Sequence, residues 1–471
     1  SKPRIHLHFL ESRHFSQNIS FNTDPNGLLQ VMSTVTLQLG QCGNQLGAEV
    51  FSRLHCESQA APSSLGESIK KVFFREARQA RGTDNRKEVP TLARAVLVDT
   101  EPRVVQRCLE GNEGDARPWR YAAQQVIHHA GGAANNWACG YNIHGPALQE
   151  KVLERVQREV ECCDHLGGFL ALHSVAGGTG SGLGSFILGA VRDAFPSAML
   201  SSVSVWPFQG GEVSVQCYNA TLTLSSIYEH ADLSMICENE RYLDLCRILL
   251  GQERPSLDSL NSAIAGNLVR VMMPCGSVRK LYGPGCPFLQ LAGHLAPHPL
   301  YRLTTVRTLP QIRKGAEAFT CESWTALQRR MLHLCENASM VDGPNAGTTE
   351  VRAVSRNHMI SASMFLWGNA ASEASLEPLR KMPLWQHSVD GMQVHSDGHS
   401  VGGLERSLGI ISNCQAVLPA LASTSSRATS MLRVSAYLHQ YERYGLSYEE
   451  MSEAILGLLQ AQHDYEQLSA D

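Results

Sequence analysis

One stretch of the chain is dominated by glycine: His173-Ser174-Val175-Ala176-Gly177-Gly178-Thr179-Gly180-Ser181-Gly182-Leu183-Gly184. Apolar runs precede it (169–172) and follow it (185–191), an order typical of a strand, a loop and a helix. A loop without Cβ atoms lets backbone N–H groups approach an anion closely, and a helix N-terminus behind it adds the positive end of a dipole. The stretch therefore predicts a phosphate-binding loop. The alternative is a flexible linker, although linkers are seldom flanked by apolar runs on both sides.

Composition and charge narrow the class of protein. The chain has 471 residues, of which 43% are hydrophobic and 18% charged, whereas typical soluble domains have about 25% charged residues. This length is enough for two or three domains. The formal net charge of −4 argues against a nucleic-acid-binding protein, which usually presents a basic face. No apolar run approaches the roughly 18 residues of a membrane span, so none is expected.

The cysteines indicate a reducing environment. The chain has 14 of them and no C-x-x-C pair, so neither a zinc knuckle nor a thioredoxin-type site is expected. Several, such as Cys237, Cys246 and Cys275, lie among apolar neighbours, as buried free thiols do. We therefore expect a cytoplasmic protein.

The beginning of the chain differs from the rest. Residues 1–31 are polar and lack both an apolar period and the apolar stretch of a signal peptide. We expect them to be a disordered extension or an alternative-start segment. After Met32, apolar and polar residues alternate over 33–39, which predicts the first strand.

A second loop with glycines follows that strand. Gly40-Gln41-Cys42-Gly43-Asn44-Gln45 stands between the strand and a helical pattern that begins at Leu46. The order is again strand, loop and helix. The alternative interpretation is an ordinary turn between a strand and a helix.

Two further loops carry polar groups suited to phosphate and metal. Asp99-Thr100-Glu101-Pro102 closes a buried strand over 93–98, and open α/β sheets bind ligands at the carboxyl ends of their strands. Hard oxygen ligands there suit Mg²⁺, usually through water; the alternative is a solvated acidic turn. The loop 131–138 contains two amides, Asn135 and Asn136, that can donate to phosphate oxygens.

Periodicity predicts an α/β fold. Strands alternate with helices up to about residue 250, which indicates a doubly wound, mostly parallel sheet. An apolar stripe from Leu257 to Val271, with Ser256 as N-cap, predicts a central helix. Beyond it, strands and irregular loops indicate a second, mixed α/β domain, and the chain ends in a pair of helices. The remaining expectations are helix 145–160, strand 201–206, loops 57–90 and 391–403, and terminal helices 416–444 and 448–468.

Two common nucleotide-binding motifs are missing. The chain has no Gly-Lys dipeptide, so it is not a P-loop NTPase. Leu183 and Ser185 stand where the G-x-G-x-x-G fingerprint would need its third glycine, so the glycine stretch is not a dinucleotide-binding motif.

Seven motifs occur in the order in which tubulins have them, and residues 32–471 resemble that family. Within it, stretches such as Trp206-Pro207-Phe208 and Trp367-Gly368-Asn369 resemble the delta branch. The seven motifs are Gly40–Gln45, Asp99–Pro102, Asn135–Ala138, Gly177–Gly182, Tyr218-Asn219-Ala220, Glu238-Asn239-Glu240 and Glu253-Arg254-Pro255. The resemblance implies an extension (1–31), a GTP-binding domain (32–250), a central core helix (251–274), an intermediate domain (275–414) and C-terminal helices (415–471).

The resemblance also implies a site for GTP or GDP with Mg²⁺. Glu101 would hold the Mg²⁺, with Asp99 acting through water. Leu257 stands where other tubulins often stack a tyrosine on the base, and Ala176 replaces the first glycine of the usual triple. The implied nucleotide-binding residues are Gln41, Cys42 and Gln45 for phosphate and base, Asn135, Ser174, Gly177, Gly178, Thr179, Gly180, Ser181 and Gly182 for the phosphates, Glu212 for the ribose, and Asn239 and Asn261 for the guanine edge.

Hydrolysis in tubulin-like polymers depends on the neighbouring subunit, which the resemblance implies is another tubulin in head-to-tail contact. That neighbour brings an acid that orients water, and Gln290 stands at the corresponding position here. A glutamine can orient water but cannot act as a general base. We therefore expect a poor activator of a neighbour's hydrolysis and leave open a weak GTPase activity. Residues 462–471 contain three acids and no acidic run, so the role of a bulk lattice subunit displaying acidic tails is not expected.

The function that the resemblance implies is structural. The chain would be a GTP-binding subunit of centrioles and basal bodies that takes part in cilium assembly. It would lie in the cytoplasm and cytoskeleton, at the centrosome and cilium base, with centriolar or ciliary proteins as further partners. The alternative is an active GTPase that forms dynamic microtubule-type polymers. A tubulin fold without nucleotide binding is disfavoured, because the phosphate loops and both guanine-reading asparagines are present.

Overall fold

The computed structural model describes residues 32–77, 90–110, 117–129, 131–210, 213–251, 253–275, 292–313, 322–342, 357–384 and 391–468. Three of the sequence predictions, on segment 1–31, Glu212 and Gln290, lie outside the described residues. No helix in the described ranges is long and apolar enough to cross a membrane.

The strands form one large sheet and one small sheet. They are β1 (Ser33–Leu39), β2 (Phe74–Glu76), β3 (Thr91–Ala93), β4 (Ala95–Asp99), β5 (Trp119–Arg120), β6 (Val126–His128), β7 (Leu166–Ser174), β8 (Met199–Trp206), β9 (Leu233–Glu238), β10 (Leu303–Leu309), β11 (Met359–Gly368), β12 (Met392–Asp397) and β13 (Arg406–Cys414). Among the described residues the large sheet has the order β12-β11-β13-β10-β9-β8-β7-β1-β4-β6, and the small one has the order β2-β3-β5.

Helices cover both faces of the large sheet. They are α1 (Gly40–Ala60), α2 (Ser63–Phe73), α3 (Pro102–Glu110), α4 (Trp137–Cys139), α5 (Gly145–Val160), α6 (Gly184–Ala194), α7 (Gln216–His230), α8 (Asn239–Leu250), α9 (Leu257–Met272), α10 (Ala292–Leu295), α11 (Trp324–Glu336), α12 (Leu418–Arg433), α13 (Leu438–Glu442) and α14 (Tyr448–Gln467).

The predicted parallel sheet is confirmed. Strands β6, β4, β1, β7, β8 and β9 all pair in parallel, and β1, β4 and most of β7–β9 are buried. Burial on both faces is what their nearly continuous apolar sequence requires. Because these strands run in the same direction, the loops after their carboxyl ends lie along one edge of the sheet.

The large sheet continues into the C-terminal half of the chain. β10 pairs in parallel with β9 through Leu303↔Ser234 and Thr304↔Met235, and β13 then pairs antiparallel with both β10 and β11. The second part of the chain thus contributes a mixed sheet, as the fold class predicted. The boundaries of the predicted domains remain a prediction.

The central helix was predicted correctly. α9 begins at Leu257, and the Ser256 hydroxyl caps it by accepting from the Ser259 N–H at 3.2 Å. Ile264, Leu268 and the other stripe residues beyond Leu257 are buried. α9 packs against α1 on one side and against β10, β11 and β13 on the other. Helix 145–160 is likewise confirmed as α5.

Two predicted loops are wrong. Region 57–90 contains the end of α1, then α2 and β2; Leu65, Ile69 and Val72 are buried at helical spacing, a periodicity that indicates a helix. Region 391–403 contains β12, an edge strand that pairs with β11. Its side chains are mostly half-buried and its apolar–polar alternation covers only Met392 to His395, so pairing with β11 contributes more to this strand than the local pattern does.

The first terminal helix is interrupted. The predicted helix 416–444 is divided into α12 and α13, because Ser435 and Tyr437 adopt left-handed backbone conformations with φ of 49° and 59°. A left-handed residue cannot continue a right-handed helix. The predicted second helix, 448–468, is confirmed as α14, and its Ser447–Glu450 capping box marks the start.

Candidate nucleotide-binding site

The predicted loops meet at the carboxyl edge of the large sheet. Gly40 follows β1, Asp99 ends β4, Ser174 ends β7 and Asn239 follows β9. In an open α/β sheet this edge is where ligands bind. The fold therefore brings together loops that lie up to about 200 residues apart in the sequence.

The glycine stretch forms the predicted loop between a strand and a helix. β7 ends at Ser174, whose hydroxyl accepts from the Ala176 N–H at 3.2 Å. The N–H groups of Gly182 and Leu183 both donate to the Gly178 carbonyl, at 2.9 and 3.2 Å, and form a wide helical turn that leads into α6. Of the residues predicted to bind phosphate here, Ser174, Gly177 and Thr179 are half-exposed, whereas Gly178, Gly180, Ser181 and Gly182 are buried.

Two of these glycines allow close packing against the neighbouring loop. A Cβ atom on Gly178 would lie 2.4 Å from the Ala133 carbonyl oxygen, and one on Gly182 would lie 2.0 Å from the Trp137 carbonyl oxygen. At Gly177 the nearest atom to such a Cβ would be Asn135 Oδ1, at 3.8 Å. Gly178 and Gly182 thus hold the two loops together, while Gly177 leaves room beside Asn135.

The acidic loop contacts the glycine stretch directly. The hydroxyls of Thr100 and Thr179 are hydrogen bonded at 2.6 Å. Asp99 Oδ1 accepts from the Glu101 N–H at 3.1 Å, while Oδ2 is buried without a hydrogen-bond partner among the described residues. Glu101 is exposed directly before α3. Sequence reasoning placed the two carboxylates at this edge but missed the link through Thr100.

The residues at this edge fit a magnesium nucleotide. Burial raises the pKa of Asp99 to about 6, against the lowering effect of the Glu101 and Thr100 N–H groups. A cation would compensate the buried carboxylate. No group of three or more His, Cys, Asp or Glu suited to a metal occurs in the described ranges. Mg²⁺ is usually held by one or two carboxylates together with substrate phosphates and water, which is the number of carboxylates that Asp99 and Glu101 would provide.

The raised pKa of Asp99 makes a prediction about pH. The folded protein holds this proton more tightly than the unfolded chain, so stability should fall as pH rises from 3.8 to about 6. The loss should be at most roughly 3 kcal/mol. The wild type and the Asp99→Asn variant are compared without nucleotide. In the variant this loss of stability between pH 3.8 and about 6 should disappear, as measured by thermal unfolding midpoints across that range. The exposed Asp164 provides the control: Asp164→Asn should keep the wild-type profile, and an unchanged profile in Asp99→Asn would contradict the prediction.

The amide loop has an unusual backbone. Ala134 and Asn135 adopt left-handed conformations, with φ of 49° and 51°. Asn135 is exposed, as a ligand-contacting side chain requires. The Asn136 side chain caps α4 by accepting from the Cys139 N–H at 3.1 Å. The two predicted amides therefore differ: Asn135 faces solvent and Asn136 stabilises a helix start.

The first loop lies against the glycine stretch. Gly40 has φ of +71°, and a Cβ there would lie 2.7 Å from the Gly180 nitrogen. Gln41 is exposed, and Cys42 and Gln45 are half-buried. Burial raises the pKa of the Cys42 thiol to about 12, so it is neutral and unreactive at physiological pH.

Asn44 supports the same loop from inside. Its amide donates to the Gly40 carbonyl at 2.9 Å and to the Val98 carbonyl at 3.3 Å, which joins α1 to the end of β4. Asn44 lies inside the motif Gly40–Gln45, but the sequence does not predict that it joins this loop to β4.

The two asparagines proposed to read guanine lie on neighbouring helices. Asn239 is the first residue of α8 and Asn261 lies in the first half of α9; both are half-buried. α8 packs against α9. Leu257, at the start of α9, is 57% exposed, so the side chain at the expected base-stacking position is apolar and accessible.

One important residue was missed by sequence reasoning. Asn219 lies inside the predicted Tyr218-Asn219-Ala220 motif, but its role depends on Tyr441, which is 222 positions away in sequence. No local pattern signals such a contact.

Comparisons with known proteins show which family the chain belongs to. The GTPase domain of the Tubulin/FtsZ family matches residues 33–247, which span β1 to α8 and include each loop described above. Tubulin delta chains of Canis lupus familiaris and Homo sapiens are each 31% identical over 452 residues, covering 92% of this chain and 99% of theirs. A tubulin beta chain of Aspergillus fumigatus is 28% identical over 450 residues, covering 92% of this chain and 94% of its own. A GTPase domain of this kind implies binding of GTP or GDP. The chain belongs to the tubulin family, and it is more similar to the delta chains than to this beta chain.

Proposed function

We propose that this chain is a GTP-binding structural subunit of the delta-tubulin type, which acts in centriole and basal body structure and in cilium assembly. The observation that supports GTP binding most directly is the packing of three loops at one sheet edge. There, Thr100 contacts Thr179 and Gly178 packs on Ala133. Similarity to delta chains over nearly their whole length supports the cellular part.

Each loop has a proposed task. The backbone and side chains of the glycine stretch, with Asn135, bind the phosphates. Glu101, with Asp99 acting through water, would hold Mg²⁺, which neutralises phosphate charge when it is bound. Gln41, Cys42 and Gln45 contact phosphate and base, Glu212 contacts the ribose, and Asn239 and Asn261 hydrogen bond to the guanine edge. Asn and Gln amides suit guanine because each offers a donor and an acceptor.

The proposed partner is another tubulin in head-to-tail contact across the nucleotide. Hydrolysis of the nucleotide would then depend on which side chain each subunit places beside the nucleotide of its neighbour. Gln290 has an amide at the position where a carboxylate would act as the general base for attack by water. We therefore propose that this chain binds GTP and activates a neighbour's hydrolysis poorly.

The Gln290→Glu variant tests that step. Restoring an acid should raise GTP turnover in the assembled protein by roughly 10²-fold or more, the usual contribution of a positioned general base. Steady-state phosphate release is the measurement, with nucleotide affinity measured alongside because it should not change. Equal, brisk turnover in both proteins would contradict the proposal.

The second candidate function is an active GTPase that forms dynamic polymers. The complete set of phosphate loops and the carboxylate pair favour it. Sedimentation of the purified protein with GTP and with a slowly hydrolysed analogue separates the two functions. Polymer that turns over only with GTP would favour the second. Nucleotide-independent or stable assembly would favour the first.

The proposed location is the cytoplasm and cytoskeleton, at the centrosome and the cilium base. Centriolar or ciliary proteins are the proposed further partners. Purification of the tagged chain from ciliated cells, with identification of co-purified tubulins, tests both. Recovery of other tubulins together with centriolar proteins is expected; their absence, with the tag distributed evenly in the cytoplasm, would contradict the proposal.

A further inference from the structure

The segment around α13 is bonded directly to the amide loop, to the residues after α4 and to α7. The Asn136 amide donates to the Gln440 carbonyl at 3.3 Å, and the Asn142 amide donates to the Tyr444 carbonyl at 2.9 Å. The Tyr441 hydroxyl donates to Asn219 Oδ1 at 2.7 Å. We call residues 434–446 the docking segment.

Asn219 extends the contact of Tyr441 into the site. Its Nδ2 donates to the Asn135 carbonyl at 2.8 Å and to the Ala176 carbonyl at 2.7 Å. Its Oδ1 also accepts from the Trp137 N–H at 2.9 Å. This fully buried side chain thus joins the amide loop, the glycine stretch, α4 and the docking segment.

Unfavourable backbone conformations are concentrated on both sides of this contact. Six non-glycine residues in the described ranges have left-handed φ values, and four of them lie here: Ala134, Asn135, Ser435 and Tyr437. Apart from asparagine, L-residues rarely adopt this conformation, and in Ala134, Ser435 and Tyr437 it persists only where the surroundings fix it. The amide loop and the docking segment therefore hold each other in conformations that neither sequence favours by itself.

We propose that Tyr441 is a positioning residue of the nucleotide site. Through Asn219 its hydroxyl holds the Asn135 and Ala176 backbone in the conformation that binds phosphate. Nucleotide retention then depends on the docking segment, and by thermodynamic reciprocity bound nucleotide stabilises the docking segment. The inference rests on the GTP site proposed above and adds a link from that site to the C-terminal helices.

The Tyr441→Phe variant removes the hydroxyl and keeps the ring. The ring packs edge-on against Tyr218, with centroids 5.5 Å apart, so its place in the core should not change. Loss of one buried hydrogen bond should speed dissociation of GTP and GDP about tenfold. Stopped-flow displacement of a fluorescent GTP analogue measures this rate.

Tyr465 provides a matched control in α14. Like Tyr441 it is completely buried, and its hydroxyl bonds to the side chain of an asparagine, Asn413 Oδ1, at 2.9 Å. It also accepts from the Leu303 N–H at 3.0 Å, at the start of β10 and outside the predicted nucleotide loops. Tyr465→Phe should lower the thermal unfolding midpoint at least as much as Tyr441→Phe does, because the Leu303 N–H also loses its acceptor, and should leave nucleotide dissociation at the wild-type rate.

Hydrogen exchange measures the reciprocal effect. Adding GTP should slow amide exchange in residues 434–446 of the wild type and of Tyr465→Phe, and much less in Tyr441→Phe. If Tyr441→Phe does not fold, Asn142→Ala takes its place. It removes the bond to the Tyr444 carbonyl, one of the bonds that hold the docking segment and with it Tyr441 in place, so dissociation should again be faster.

The outcomes separate this inference from the proposed function. A wild-type protein that binds neither GTP nor GDP would overturn the proposed function and this inference with it. A wild type that binds GTP, with equal dissociation rates in Tyr441→Phe and Tyr465→Phe and no GTP-dependent protection of 434–446, would overturn the inference alone.

Discussion

Replacing Gly178 by alanine is expected to weaken GTP binding by roughly 100-fold or more. The new Cβ would lie 2.4 Å from the Ala133 carbonyl oxygen, 2.7 Å from the Ala133 Cβ and 2.9 Å from the Asn136 nitrogen. These are mostly backbone atoms, so relief requires the glycine stretch and the amide loop to move apart. A displacement of about 1 Å in a positioned group costs about 10²-fold in function, and overpacking costs about 1–3 kcal/mol of stability. Equilibrium titration with a fluorescent GTP analogue measures the affinity, and chemical unfolding measures the stability.

Gly398→Ala is the matched control for that substitution. A Cβ on Gly398 would meet no heavy atom within 4 Å, and its backbone is not left-handed. Its affinity and stability should remain those of the wild type. If Gly178→Ala bound GTP as tightly as Gly398→Ala does, the packing of the two loops would not matter for binding.

Replacing Asn219 by alanine is expected to cost roughly 3–5 kcal/mol of stability, because several buried groups lose their partner at once. The Asn135 and Ala176 carbonyls, the Trp137 N–H and the Tyr441 hydroxyl would all be affected. GTP affinity should fall at least tenfold as well, since two loops of the site lose their common anchor. Urea unfolding and nucleotide titration on the same preparation measure both effects.

Asn413 offers a nearly identical residue away from the site. It is also completely buried, donates to the Leu295 and Tyr301 carbonyls at 2.9 Å, and accepts from the Tyr465 hydroxyl at 2.9 Å. Asn413→Ala should lose similar stability but keep the wild-type affinity for GTP. Equal losses of affinity in both variants would show that general destabilisation, not loop anchoring, accounts for the effect at Asn219.

Local patterns predicted the elements that carry strong signals. The glycine stretch between two apolar runs gave the β7–α6 connection, and the stripe from Leu257 to Val271 gave α9 with Ser256 as its cap. Two elements were missed. The apolar period of the short helix α2 lies within a region that is otherwise polar. β12 is an edge strand with half-buried side chains, and its pairing with β11 contributes more than its local pattern.

Long-range contacts could not be predicted at all. The Thr100–Thr179 hydrogen bond joins residues 79 positions apart, and the Asn219–Tyr441 bond joins residues 222 positions apart. A hydroxyl or amide in a sequence has no preferred distant partner. Its partner is chosen only when the sheet order places two loops at the same edge.

The sequence by itself determined the class of the fold, the order of the loops and the residue types offered to a nucleotide, because periodicity and glycine content act locally. Only the tertiary structure decided which glycines hold loops together, which predicted residues are buried, and how the C-terminal helices meet the phosphate loops. Gly177 and Gly178 are adjacent and identical in sequence, yet a Cβ meets its nearest neighbour at 3.8 Å on one and at 2.4 Å on the other. That difference arises from the amide loop packed against them, whose left-handed backbone is bonded to Asn219 and, through Asn136, to Gln440 near the distant end of the chain.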